Sequence, residues 1–184
     1  MAEDAGRALP WIVLVGLMGA GKSAVGRALA ARLGLGFTDS DRAIEEAADR
    51  TIAEIFADYG EAFFRDRESE VLERLLGAAP GVLATGGGAF LSERNREAMQ
   101  RAGAVTVWLE APIDLLWARV RGRPHRPLLN RPDARAVLER LHAERAPIYA
   151  LSDLTVMGDE GRSVQDTAAE VEAAVRAHIQ GIPA

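Results

Sequence analysis

An eight-residue segment near the start of the chain, GLMGAGKS (Gly16–Ser23), constrains the fold more than any other part of the sequence. It follows the continuous apolar run WIVLV (Trp11–Val15), which is typical of a strand buried on both faces. After it, apolar residues recur at four-residue steps over Val25–Leu33, which predicts a helix that ends at Gly34. A strand, a glycine-rich loop and a helix in this order predict the first unit of an α/β fold.

The segment also has the spacing of a phosphate-binding loop, Gly16-x4-Gly21-Lys22-Ser23. Its glycines let backbone N–H groups point at phosphate oxygens, and the helix N-terminus behind them adds a partial positive charge. Lys22 is the only lysine in a chain that otherwise uses arginine, and a planar guanidinium fits such a pocket poorly. The Ser23 hydroxyl is a candidate Mg²⁺ ligand. The alternative is a glycine-rich turn that matches by chance, but a strand and a helix flank the loop as the motif requires.

The rest of the chain alternates between apolar strands and amphipathic helices, which predicts a five-stranded parallel sheet with helices on both faces. Ligands bind beyond the carboxyl ends of such strands, so we expect the loops GLMGAGKS, DSD and GGG to meet at one edge. Further strands are predicted at 35–39, 81–85, 104–110 and 154–157. Further helices are predicted at 51–57, 61–76, 111–122, 134–147 and 163–179, with a long proline-rich loop at 121–133.

Composition narrows the class of protein. The 184 residues favour a single domain, and residues 1–10 read as a short disordered lead without a signal peptide. A net charge of −5 argues against nucleic acid, and no apolar run approaches the ~20 residues of a membrane span. Cysteine is absent, which excludes disulfides, and we expect a cytoplasmic protein. A local excess of arginine indicates an anionic small molecule; its members are Arg119, Arg121, Arg123, Arg126 and Arg131.

Two carboxylates, Asp39 and Asp41, follow the second predicted strand. Alternation points both to one side if the chain stays extended. One of them then holds Mg²⁺ and the other meets an acceptor hydroxyl and takes or orients its proton. The alternative is an ordinary acidic turn in which Asp41 caps the helix that follows. A phosphate loop nearby favours the functional interpretation.

Three arginines and three glycines complete the candidate site. Arg65, with Glu68 three residues later, has the spacing of a guanidinium aimed at a carboxylate. Arg126 lies in the proline-rich loop, where closure places it over phosphates, and Arg145 lies near a helix end. The alternatives are a solvated helix pair for Arg65, a surface loop charge for Arg126 and a cation favoured by the helix dipole for Arg145. Gly86–Gly88 let a ligand approach the backbone, although a flexible turn is the alternative.

The ordered set GLMGAGKSAVGRALA, DSD, FRDRE, VLATGGG, RPLL and ERAPIY resembles the shikimate kinase family from about Trp11 to Leu154. The resemblance implies one domain over 1–184 with the P-loop fold of nucleoside-monophosphate kinases. It implies an acceptor-binding region at about 42–78 and a mobile lid at about 121–133. It also implies transfer of the γ-phosphate of ATP to the 3-hydroxyl of shikimate, on the route to chorismate and the aromatic amino acids.

The resemblance carries residue roles with it. The catalytic residues are Lys22, Asp41 and Arg126. ATP is bound by Gly19, Ala20, Gly21, Lys22, Ser23, Ala24, Arg119 and Arg126, with Arg119 stacked on adenine and Arg126 on the lid. Mg²⁺ is held by Ser23 and, through water, by Asp39. Shikimate is bound by Asp41, Arg65, Gly86, Gly87, Gly88 and Arg145.

Two other functions stay open at this point. A gluconate-type or nucleotide kinase shares the first loop and the fold, but it does not predict DSD, FRDRE and GGG together. A catalytically silent ATP-binding module predicts damage at Asp41, Arg65 or Arg145, and all three are present.

Pro124 is an addition to the family's lid pattern, and this proline stiffens the lid. No exposed apolar stripe demands a partner, so we expect a monomer whose partners are ATP and shikimate.

Overall fold

The structure is a computed structural model that describes residues 9–121 and 133–182. Its strands are β1 (Ile12–Val15), β2 (Phe37–Asp39), β3 (Val82–Ala84), β4 (Val105–Glu110) and β5 (Leu154–Met157). They form one sheet in the order β2-β3-β1-β4-β5, with every pair parallel. The predicted five-stranded parallel sheet is therefore confirmed, and the strand that precedes the glycine-rich loop lies at its centre.

The helices are α1 (Lys22–Leu33), α2 (Ser40–Ala48), α3 (Ile52–Leu76), α4 (Glu93–Arg101), α5 (Ile113–Val120), α6 (Ala134–Tyr149) and α7 (Val164–Ile179). They cover both faces of the sheet. All four residues of β1 are fully buried as a result, although successive side chains along a strand point to opposite faces. Helix α1 packs on α7, while α3 packs on α4. None of the helices in the described part of the chain has the length and apolarity that a bilayer crossing requires.

Two helix ends follow their sequence signals. Gly34 closes α1 in a left-handed conformation, with φ 66°, and its N–H donates to the Ala30 carbonyl. The capping box of Thr51 and Glu54 opens α3. Gly60 then interrupts α3 with φ 80° and ψ 176°, which separates the two helices that the sequence predicts there. The residues that the resemblance assigns to acceptor binding, at about 42–78, thus lie on α2 and a broken α3.

One prediction about a helix is wrong, and one helix was missed. Helix α6 does not stop at Pro147 but continues to Tyr149, because the proline lies only two residues from the helix end and removes a single backbone donor. Helix α4 was not predicted at all. It buries only Asn95, Ala98 and Met99, so it lacks the repeated apolar positions that identify a helix in sequence.

Part of the predicted lid, at 122–132, lies outside the described residues, and so does Arg126. The same holds for residues 1–8 of the predicted lead.

Candidate active site

The glycine-rich loop between β1 and α1 passes close to other parts of the fold. Gly16, Gly19 and Gly21 all have positive φ, at 136°, 87° and 93°. A Cβ atom on Gly16 would lie 2.7 Å from the Leu109 carbonyl oxygen, and one on Gly19 would lie 2.7 Å from Cγ1 of Val120. At Gly16 and Gly19, glycine is therefore required by both backbone conformation and space.

Two cations lie on this loop. The Lys22 ammonium donates to the carbonyls of Gly16, at 2.7 Å, and Leu17, at 3.0 Å. Arg119, on α5, donates to the Gly19 carbonyl at 3.3 Å. Together with the N-terminus of α1, they make the loop an electropositive site that suits a polyphosphate.

A hydroxyl and a carboxylate face each other beside the loop. Ser23 donates to Asp39 Oδ2 at 2.6 Å, and Asp39 Oδ1 accepts the N–H groups of Asp41 and Arg42. Asp39 is thus the cap of α2, and the alternative that Asp41 caps this helix is wrong. The chain turns into a helix at Ser40, so the extended alternation that we expected to align the two carboxylates is wrong as well. Asp41 nevertheless reaches the site, because it lies in the first turn of α2.

The three-glycine segment after β3 (Gly86–Gly88) gives space to the protein's own side chains. The Gly86 N–H donates to the Ser40 hydroxyl at 3.1 Å. A Cβ atom on Gly86 would lie closer than 3.0 Å to Oδ1 of Asp41. A Cβ atom on Gly88 would lie 2.5 Å from Nη2 and 2.6 Å from Cζ of Arg65. The sequence predicted room for a ligand at these glycines, and in the structure two of them make room for candidate site residues.

Asp41 is the most strongly perturbed carboxyl group of the site. Burial raises its pKa to about 6, with further increases from the negative charges of Asp39 and Glu68 and a decrease from Lys22. The group is therefore mostly ionised at pH 7 and protonated in mild acid. A carboxylate with a pKa close to the working pH is suited to accept a proton or to orient a hydroxyl.

The guanidinium of Arg65 is held in place by two acidic side chains, one of which is buried. Its Nη1 donates to Glu68 Oε2 at 2.7 Å, which confirms the predicted pair, and Nη2 contacts Glu61 at 3.4 Å. Glu68 is 2% exposed, and its Oε1 has no hydrogen-bond partner. Burial raises the pKa of Glu68, while the Arg65 charge opposes that increase. The guanidinium is consequently held through both of its terminal nitrogens by acidic side chains of its own helix.

A second guanidinium reaches the same segment from α6. Arg145 donates to the Gly87 carbonyl at 3.3 Å, and the Tyr149 hydroxyl donates to the same oxygen at 2.5 Å. Sequence reasoning did not identify Tyr149. The available signal was its spacing, because it follows Arg145 by four residues and shares its face of the helix. Arg65 and Arg145 therefore converge on Gly86–Gly88.

The three loops do meet at one edge of the sheet, as predicted. The family model for shikimate kinase matches residues 18–176 of the chain. The chain belongs to the shikimate kinase family. A shikimate kinase of Ruegeria pomeroyi is 54% identical over 164 residues, which is 89% of this chain and 84% of that protein. This confirms the resemblance seen in the sequence.

Solved structures agree with the family assignment. The structure titled shikimate kinase from Acinetobacter baumannii in complex with shikimate is 38% identical, covers 93% of this chain and 95% of that one, and has a TM-score of 0.87. A gluconokinase from Sinorhizobium meliloti, at 17% identity and a TM-score of 0.63, covers 96% of this chain and 97% of its own and shares only the fold. The chain has the P-loop fold of the nucleoside-monophosphate-kinase type.

The described part of the chain brings almost all predicted site residues to this edge. They are Gly19, Ala20, Gly21, Lys22, Ser23, Ala24, Asp39, Asp41, Arg65, Gly86, Gly87, Gly88, Arg119 and Arg145. Arg126 lies outside the described residues.

Proposed function

We propose that this protein transfers the γ-phosphate of ATP to the 3-hydroxyl of shikimate, giving 3-phosphoshikimate for the synthesis of chorismate and the aromatic amino acids. Membership of the shikimate kinase family supports the reaction. The observation that carries the acceptor's chemistry is the convergence of Arg65 and Arg145 on Gly86–Gly88. Two guanidiniums at one short loop match a carboxylate, which shikimate has. Gluconate has one as well, so it is family membership that favours shikimate between these two acceptors.

The phosphate loop binds the triphosphate. Lys22 exchanges its two loop carbonyls for the β- and γ-phosphates, and the loop amides take the remaining oxygens. Arg119 stacks on the adenine, and Arg126, carried by the lid, stabilises charge on the transferring phosphoryl group. Phosphoryl transfer depends mainly on positioning and charge neutralisation, which these cations supply.

We assign the cofactor as Mg²⁺, held by Ser23 directly and by Asp39 through water. The fit rests on the donor set, since a hydroxyl and a carboxylate 2.6 Å apart are the hard oxygen ligands that this ion prefers. Among the residues that the structure describes, no group of three or more acidic or histidine side chains is arranged to hold a metal alone. The ion would therefore share its coordination with phosphate oxygens, whose negative charge it offsets when bound.

Asp41 receives the acceptor hydroxyl. Its carboxylate lies against Gly86, and its pKa of about 6, raised mainly by burial, leaves it mostly ionised at neutral pH. In a loose transition state the hydroxyl proton leaves late, so Asp41 first orients the hydroxyl and then takes the proton. Arg65 and Arg145 hold the acceptor's carboxylate, and the backbone of Gly86–Gly88 contacts the ring hydroxyls.

A coupled ADP-release assay with ATP and Mg²⁺ tests this function. Shikimate, gluconate, a nucleoside monophosphate and no acceptor are compared in parallel, and we expect turnover above background with shikimate alone. Turnover with gluconate or a nucleotide would make the protein a different kinase. A background rate with every acceptor would make it an ATP-binding module.

We further propose that the enzyme is a cytoplasmic monomer that needs neither nucleic acid nor a membrane. Its net charge of −5 supports the expectation that it does not bind nucleic acid, because phosphate backbones attract basic surfaces. Light scattering during gel filtration measures the oligomeric state directly, and a mass of twice 19.7 kDa would contradict the monomer.

A further inference from the structure

Tyr149 is a buried residue at the edge of the acceptor site. It is the last residue of α6 and 2% exposed. Its hydroxyl and the Arg145 guanidinium donate to the same acceptor, the Gly87 carbonyl. Burial raises the pKa of the Tyr149 hydroxyl while Arg145 opposes the shift, so the group stays a protonated donor at neutral pH. One carbonyl oxygen thus receives two donors from a single helix face.

The ring of Tyr149 faces the other half of the site. Its centroid lies 5.9 Å from that of Trp108 on β4. Trp108 in turn lies beside the phosphate loop, with Cδ1 3.3 Å from the position of a Cβ atom on Gly16. A Cβ atom on Gly87 would also lie 3.7 Å from the Gly16 carbonyl oxygen. Tyr149 therefore contacts the acceptor loop through its hydroxyl and the phosphate loop through Trp108.

The acceptor loop needs such a restraint. Three successive glycines have few conformational limits of their own, and Asp41 and Arg65 lie directly against Gly86 and Gly88. If Arg145 binds the acceptor's carboxylate, as the proposed function has it, that contact competes with its 3.3 Å hydrogen bond to the Gly87 carbonyl. The Tyr149 hydroxyl is then the side-chain donor that keeps this carbonyl in place.

We propose that Tyr149 is the positioning residue of the acceptor site, holding Gly87 so that Asp41 and Arg65 keep their distance from the phosphate loop. The inference rests on the proposed phosphorylation of shikimate and adds a residue that the family resemblance did not assign. It predicts a role in acceptor use that does not extend to ATP binding.

The test is Tyr149→Phe, which removes the hydroxyl and keeps the ring on Trp108. The matched control is Thr167→Val, which removes a hydroxyl that donates to the Ser163 carbonyl on α7, a helix that carries none of the residues assigned to the site. We expect kcat/KM for shikimate to fall about tenfold, equivalent to about 1.4 kcal/mol. KM for ATP stays at the wild-type value, and Thr167→Val resembles the wild type in every constant.

Two results would overturn the inference while the proposed function stands. One is a Tyr149→Phe enzyme with wild-type kcat/KM for shikimate, and the other is an equal loss for shikimate and ATP, which indicates a general structural role. If wild-type enzyme shows no turnover with shikimate, the proposed function fails, and the inference fails with it.

A second measurement covers the case in which Tyr149→Phe does not fold. Wild-type protein labelled with ¹³C at the tyrosine ring has two tyrosine signals, and Tyr59→Phe retains only that of Tyr149. Adding shikimate to the Tyr59→Phe protein should shift the ¹³C signal of Tyr149, because Arg145 moves away from the Gly87 carbonyl that the two side chains share. A signal that stays unchanged at saturating shikimate would contradict the positioning role.

Discussion

A single methyl group on Gly88 tests whether the placement of Arg65 matters. The backbone of Gly88, with φ −100° and ψ −15°, is open to any residue, so Gly88→Ala adds no backbone strain. The new Cβ atom would lie 2.5 Å from Nη2 and 2.6 Å from Cζ of Arg65. The guanidinium has to move, since the three heavy atoms nearest to the new Cβ all belong to it.

The size of the effect follows from these distances. Ordinary contacts between carbon atoms are about 3.5 Å, so the guanidinium must shift by about 1 Å. That shift weakens its 2.7 Å bond to Glu68 and misplaces the acceptor's carboxylate. A misplacement of about 1 Å can cost about 100-fold in rate, or about 2.7 kcal/mol of transition-state stabilisation. The free energy of unfolding should fall by only about 1 kcal/mol, because the end of an arginine side chain adapts.

Steady-state kinetics with shikimate varied at saturating ATP, and then with ATP varied, measure this effect. We expect kcat/KM for shikimate to fall about 100-fold with KM for ATP unchanged. Gly161→Ala is the matched control, since its Cβ atom would meet nothing within 4 Å. Wild-type use of shikimate by Gly88→Ala would refute the assignment of Arg65 to the acceptor, and so would a matching loss for ATP.

Three further predictions concern the groups around the phosphate loop. Asp41→Asn should lower kcat by about 10²–10⁴ with little change in ATP affinity, and equal losses of both in the same assay would count against the role of Asp41. The folded-state pKa of Asp41, about 6, exceeds the unfolded value of about 3.9, so its ionised form destabilises the native state above pH 6. Asp41→Asn should therefore have a higher melting temperature than the wild type at pH 8, and this difference should vanish as the pH falls towards 4. A constant difference in melting temperature across this range would contradict the raised pKa of Asp41. Ser23→Ala should raise the Mg²⁺ concentration for half-maximal rate, and an unchanged Mg²⁺ titration would exclude Ser23 as a ligand.

The sequence predicted those parts of the site that depend on spacing along the chain. The phosphate loop, the central strand and the Arg65–Glu68 pair were recognisable because each is a local pattern. The cap on α2 was assigned to the wrong carboxylate, since only the backbone path decides between Asp39 and Asp41. Tyr149 was missed because its partner lies 62 residues away in the chain. Its spacing from Arg145 indicates a shared helix face, but a single sequence does not show which distant backbone group that face meets.

The use of a single lysine has a practical consequence. Lys22 supplies the only ε-amino group among the side chains of this protein, and it lies in the phosphate loop. An acylating reagent that prefers primary amines has one side chain to modify, and bound nucleotide would shield it. Nucleotide occupancy can then be followed as the mass increment on the peptide that carries Lys22, separately from acylation of the chain's α-amino group and without an engineered label.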